Sequence, residues 1–157
     1  MDIEHPSNSK VIKVEFVGTT NAFVSSEDGV GSYWSFDLEA KTWTKISNFK
    51  ECYHRVIPAI GEFLILSQLT NYEVYSLNEG TKIAESDKSS IVSPITSLAI
   101  HPDGIILATG HKDGKLIIWD IWEQKIFKTI DVFQDSSIEG ISFSHKGIHI
   151  SLFNSIG

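Results

Sequence analysis

The chain has 157 residues, 41% of them hydrophobic, so wholesale disorder is excluded and a sizeable core is within reach. Thirteen Lys+Arg against twenty Asp+Glu leave a formal net charge of -7, a balance that disfavours broad phosphate-backbone contact and fits protein partners better than nucleic acid. No apolar run approaches bilayer length, neither a signal peptide nor a membrane span is read, and the sole cysteine, Cys52, excludes an intrachain disulfide framework and fits a reducing compartment.

Taken in chain order, the sequence reads as short strands divided by turn residues. The first group is Val11–Phe16, Ala22–Ser25, Ser32–Phe36 and Thr42–Ile46. A more eroded group follows: Val56–Ala59, Phe63–Ser67, Tyr72–Tyr75 and Thr81–Ala84. The best-formed group is SPITSLAIHPDGIILATGHKDGKLIIWDI over Ser93–Ile121, to which Lys125–Thr129 adds a fourth strand. Within it, Ile95–Ile100 alternates toward one face, HPDG reverses the chain, and Ile105–Thr109 runs back. A turn at His111–Gly114 then leads into Lys115–Asp120, ending in Trp119-Asp120. Tight glycine-containing turns between such runs specify a meander rather than a crossover unit. An exposed turn is expected over Asp131–Ser137, and a last group begins with Ile138–Phe143 and His149–Phe153.

Two landmarks repeat. Phe16, Ile57, Ile100 and Phe143, expected on the outer strand, are 41, 43 and 43 residues apart, while Trp34, Tyr75 and Trp119, closing the third strand, are 41 and 44 apart. Periods of about 40–45 residues belong to four-stranded propeller blades and not to helical repeats. The expected fold is therefore all-β: about three and a half four-stranded blades of a larger β-propeller, with 1–157 as part of one domain. The approximate repeats are 10–50, 51–93, 94–136 and an incomplete 137–157. Because closed propellers use 4–8 blades, the ring is completed either by further sequence or by another chain. A self-contained β-sandwich is the remaining alternative, and it leaves the spacing unexplained.

Few residues invite a chemical reading. Trp119 is expected to pack between sheets and donate its indole N–H, with Asp113 in the preceding turn as a candidate acceptor. His101 belongs to the HPDG reversal, where Pro102 fixes φ and Gly104 permits a positive φ, and His111 lies beside another turn. With Asp103 and Asp113 they do not assemble a metal set, and no metal or cofactor is expected. Gly29-Val30-Gly31 is a turn or bulge, lacking the spacing and following helix of a nucleotide fingerprint. His145 and His149 have no clear acidic partner, Asp135-Ser136-Ser137 is a polar loop, and no catalytic residue is expected. Trp34 and Phe36 are read as facing one side of their strand and Tyr33 the other. Trp122, following the blade-ending pair, is read at a rim, where it either anchors a protein partner or packs locally. The other candidate contact regions are the turns Glu27–Gly31, His101–Gly104 and His111–Gly114.

PITSLAI, ILATG, Asp113, IIWDI and KIFKTI, continuing through IEGISF, Gly147 and SLF, resemble a late segment of the WD40-repeat family, most closely the C-terminal propellers of the pre-mRNA-processing factor 19 type. Upstream, GSYWSFDL resembles another strand of that type. The resemblance implies a blade network of Trp, Ser/Thr, His and Asp. Thr109, Asp113 and Trp119 take positions in it, but no Gly-His pair precedes Ile95 to supply the histidine. It further implies a non-catalytic docking scaffold in the nucleus, with the cytoplasm as alternative, whose partners are splicing factors or ubiquitylation targets. Such proteins carry ubiquitin-ligase activity in a separate U-box, and neither a U-box nor a sustained heptad seam is visible here. A WD40 adaptor unrelated to splicing and a propeller enzyme with a ring-centre site are the alternatives.

Overall fold

In the computed structural model, the described residues are 8–51, 55–56 (backbone only), 62–67, 69–87 and 93–154; Cys52 and Ile57 lie outside them. Among them every regular element is a strand. The first sheet is β1 (Val11–Val17), β2 (Asn21–Ser26), β3 (Gly31–Asp37) and β4 (Thr42–Phe49). The second is β5 (Arg55–Val56), β6 (Phe63–Ser67), β7 (Tyr72–Ser76) and β8 (Lys82–Glu85). The third is β9 (Ile95–Ile100), β10 (Ile106–His111), β11 (Lys115–Asp120) and β12 (Lys125–Asp131), and a two-stranded sheet follows with β13 (Ile138–Phe143) and β14 (Ile150–Asn154). Strands pair antiparallel in chain order throughout. The turns rely on left-handed backbone where Cβ would be costly, at Gly29 (φ 79°), Gly104 (φ 75°) and Gly114 (φ 78°).

Alternation alone would leave one face of each sheet wet, yet the central strands are buried on both. All five residues of β6 are buried, because Leu64 and Leu66 pack toward the first sheet while Phe63 and Ile65 pack toward the third. Three apolar interfaces result. Phe23, Tyr33 and Phe49 meet Leu64, Leu66 and Leu77; Phe63, Ile65, Tyr72 and Val74 meet Leu107, Ile117, Trp119 and Ile121; and Ala108 and Leu116 meet Ile138. Each sheet is thus a blade stacked face to face on the next, and no blade could bury its apolar surface alone.

The blade direction corrects one expectation. The first strand of each repeat, expected outermost, is innermost. Thr96 and Ser97 of β9 each donate a hydroxyl to the Ile138 carbonyl at the start of β13, both at 2.7 Å, so successive first strands lie side by side. The fourth strands point outward, and β12 is exposed apart from a half-buried Ile130. First strands converging while fourth strands splay is the arrangement of a propeller sector.

Trp34, Tyr75 and Trp119 occupy matching places in three blades. They pair with Ala22, Leu64 and Leu107 of the second strand. Immediately before each one, the register against the fourth strand slips by one residue, at Tyr33/Trp34, Val74/Tyr75 and Ile118/Trp119. The fourth-strand residues passed over are Ile46, Ile83 and Phe127, all exposed. A recurring bulge at one position increases local twist, which lets flat-edged sheets fan around an axis.

Candidate functional site

Trp119 donates its indole N–H to Thr109 Oγ1 at 3.0 Å, across the β10–β11 pair. Thr109 Oγ1 lies 2.8 Å from His111 Nε2, and His111 Nδ1 lies 3.0 Å from the Ser93 carbonyl. A carbonyl only accepts, so Nδ1 carries the proton; in the neutral ring Nε2 then accepts from the Thr109 hydroxyl. The direction of every bond is set: Trp119 to Thr109, Thr109 to His111, His111 to Ser93. His111 is 1% exposed, and burial pushes its imidazole pKa below the ordinary 6.5, with the Ser93 carbonyl opposing.

Asp113 is not the acceptor of Trp119. The strand ends at His111, so Asp113 sits in the turn beyond it with an exposed side chain. Its carboxylate pairs with Lys115 Nζ at 2.9 Å, and its backbone N–H donates to Ser93 Oγ at 3.1 Å. Burial would raise the Asp113 pKa, but hydrogen bonds from Lys115 and Ser93 hold it below the usual carboxylate range. The histidine with no Gly-His source comes instead from the second strand, two residues after Thr109 and on the same face. That i, i+2 spacing was the available sequence signal.

The other blades solve the same problem differently. Val24 and Leu66 stand where the third blade has Thr109, and neither side chain can accept a hydrogen bond. The Trp34 indole therefore donates to Ser32 Oγ on its own strand at 2.8 Å, and Lys45 Nζ lies 5.9 Å from the Trp34 ring centre. Trp34 faces away from the second blade, while Tyr33 packs toward it. Tyr75 donates to Glu73 Oε2 at 2.9 Å, and its pKa is pushed up to about 12 by burial and by that carboxylate. Tyr75 and Trp119 each meet the preceding blade edge to face, against Phe49 at 5.9 Å and Tyr72 at 5.2 Å.

Asp120 Oδ1 accepts from the N–H groups of Trp122 (3.0 Å) and Glu123 (2.9 Å), pinning the turn that presents Trp122. Asp37 does the same for Glu39 and Ala40 in the first blade, where Leu38 is left exposed. Trp122 is 47% exposed and packs edge to face on Phe63 of the second blade at 5.1 Å. It lines a groove of about 440 Å³ between the second and third blades, shared with Glu79, Asp103, Gly104 and Ile105. The His101–Gly104 turn thus adjoins Trp122, whereas Glu27–Gly31 and His111–Gly114 join second strands to third at the opposite end. His101 is also more than a turn residue. Its Nε2 donates to the Gly147 carbonyl at 3.2 Å and its ring meets Phe143 edge to face at 5.2 Å, tying the third blade to β13–β14. His145 and His149 lie exposed near that hairpin turn, and no three His, Cys, Asp or Glu among the described residues converge on one centre.

Residues 87–120, covering the first three strands of the third blade, match the family model of the WD domain, G-beta repeat. The chain carries a WD40 repeat, and its stacked sheets form part of a WD40 β-propeller, a class that serves as a protein-interaction scaffold. It is similar to pre-mRNA-processing factor 19 homolog 2 of Arabidopsis thaliana, 26% identical over 92% of this chain and 28% of the relative. It is also similar to pre-mRNA-processing factor 19 of Dictyostelium discoideum, 25% identical over 71% of this chain and 23% of the relative. Mitotic checkpoint protein bub-3 of Caenorhabditis elegans is 30% identical over 45% of this chain and 20% of its own length. The chain spans less than a third of the curated relatives it matches.

Proposed function

We propose that residues 1–157 belong to one propeller domain whose ring is completed by further blades, and that this domain docks proteins without catalysing a reaction. The partners in this reading are splicing factors or ubiquitylation targets of an assembly like that of pre-mRNA-processing factor 19, in the nucleus. Any ligase chemistry resides outside these residues. What carries the reading is the coincidence of stacked meander blades with similarity to that factor along 92% of the chain. In it, Thr109 and Trp119 stiffen the third blade from within, Asp113 braces its turn, and Trp122 is a contact for a partner. Stiff sheets that present exposed turns give a partner a broad surface at low ordering cost.

The test is affinity capture from nuclear extract with the folded chain, followed by identification of retained proteins. Splicing proteins in stoichiometric amounts support the reading; their absence removes it. The partial likeness to the mitotic checkpoint protein favours a second reading, a WD40 adaptor outside splicing, and retention of checkpoint proteins would carry that one instead.

A further inference from the structure

The groove beside Trp122 pairs an apolar floor with an acidic rim. Phe63, Ile105 and Trp122 give it an apolar floor, with Ile105 and Trp122 exposed and Phe63 buried beneath. Around that floor stand three exposed carboxylates, Glu62, Glu79 and Asp103, and no lysine or arginine lines it among the described residues. Glu62 and Glu79 come from the second blade, Asp103 from the third, and the apolar floor from both, so the groove exists only because the blades are stacked. Its volume of about 440 Å³ suits an extended peptide stretch better than a folded domain.

Asp103 is fixed rather than floppy. Its carboxylate accepts from the Ile105 N–H at 2.8 Å, and its backbone N–H donates to His101 Nδ1 at 3.2 Å. Burial alone would raise its pKa, but the Ile105 N–H and His101 more than offset that, and the carboxyl stays ionised at neutral pH. Trp122 is fixed by Asp120 below and Phe63 beside it. A preorganised aromatic plane flanked by fixed negative charge is complementary to a cationic side chain with a long aliphatic stem. The chain's net charge of -7 adds attraction toward a basic segment over any other.

We propose that this groove docks an extended basic peptide segment of a protein partner, with one Arg or Lys stem laid on Trp122 and its charged head held among Glu62, Glu79 and Asp103. The proposal rests on the scaffold reading and names the partner's chemistry at the rim that reading singles out.

The probe is a capped octapeptide, Gly-Ser-Ala-X-Leu-Ala-Ser-Gly, with X as Arg, Leu or Glu, titrated into the full chain with Trp fluorescence and calorimetry as readouts. The Arg peptide is expected to bind, to perturb Trp emission, and to weaken as salt rises from 50 mM to 500 mM, roughly threefold or more, as exposed charge pairs do. Trp122→Ala should weaken it about tenfold. The double variant Glu62→Gln/Glu79→Gln changes only exposed groups, so it serves where Trp122→Ala disturbs the fold, and it should erase the preference for Arg over Leu. Equal binding of the Arg and Glu peptides, no binding of the Arg peptide, or an unchanged affinity in the double variant would each overturn the proposal. Capture of splicing proteins by the double variant at wild-type levels would also overturn it and leave the scaffold reading standing; failure of the wild-type chain to capture any would sink that reading instead.

Discussion

His111 stands two residues beyond Thr109 on the same face of β10, and its Nε2 meets the Thr109 hydroxyl at 2.8 Å. The hydroxyl is the pivot, since it accepts from Trp119 and donates to His111 in a site closed to water. Thr109→Val keeps the shape and strands both partners, a loss of roughly 1–3 kcal/mol per unsatisfied buried group. Thr109→Ser keeps the hydroxyl and should cost less than Thr109→Val. Urea denaturation followed by Trp fluorescence compares the two; a Thr109→Val variant as stable as the wild type would mean that the hydrogen bonds contribute nothing, and one no less stable than Thr109→Ser would mean that they contribute no more than the methyl group.

Acid should unfold the chain by way of His111. Its folded pKa lies below the unfolded value near 6.5, because burial disfavours the charged ring. Above about pH 6.5 the imidazole is neutral in both states and its contribution is complete. As pH falls below that value the unfolded chain takes up a proton that the folded chain does not, so stability declines until the folded imidazole also titrates. Asp103 and Asp113, both depressed from 3.8, lose their contributions only as pH falls below that value. Denaturation midpoints between pH 8 and 5 should therefore fall below pH 6.5 in the wild type. In His111→Gln that step should be absent; if it persists, another group carries it.

How much of this was legible depended on distance along the chain. Trp34, Tyr75 and Trp119 were readable as a repeat because an aromatic closing the third strand is a local feature, and the recurring register slip sits at those three residues. The partner of Trp119 was misread because Asp113 is near in sequence, whereas strand parity puts Thr109 and His111 on the indole's face and leaves Asp113 past the strand end. The direction of the blades was not legible at all. A first strand alternates the same way whether it is innermost or outermost, and only the contacts of Thr96 and Ser97 with Ile138, 41 and 42 residues away, decide it. His101 looked like turn chemistry for the same reason, since its partner Gly147 is 46 residues distant.

Gly147 should tolerate no side chain. Its φ is 70°, and a Cβ there would fall 1.8 Å from His101 Nε2. Gly147→Ala therefore combines a left-handed backbone, strained by about 1 kcal/mol or more, with loss of the His101 contact to the same residue. Limited proteolysis should cut β13–β14 faster in this variant while the first three blades resist. His101→Ala makes room for the new methyl, so the pair together should be less damaging than the sum of the single changes. Strict additivity would argue against the contact.

The exposed first strand of the first blade sets the last expectation. Tyr75 and Trp119 each rest on the preceding blade; Trp34, their counterpart, is itself buried, with no sheet before it among the described residues. On the same face Phe16 is 78% exposed and Val14 54%, paired with the buried Ala22 and Val24 of the adjacent strand. Exposed apolar side chains side by side on a first strand favour association with another sheet. The 157-residue chain should therefore self-associate in sedimentation velocity at tens of micromolar, on the order expected for a modest apolar interface. Lysine on such a face carries a desolvation cost that opposes stacking. Val14→Lys/Phe16→Lys should shift the chain toward monomer and leave the denaturation midpoint unchanged at dilutions where the wild type is also monomeric, since both side chains are exposed within one copy. A wild-type chain that sediments as a monomer throughout would mean this face needs no second sheet.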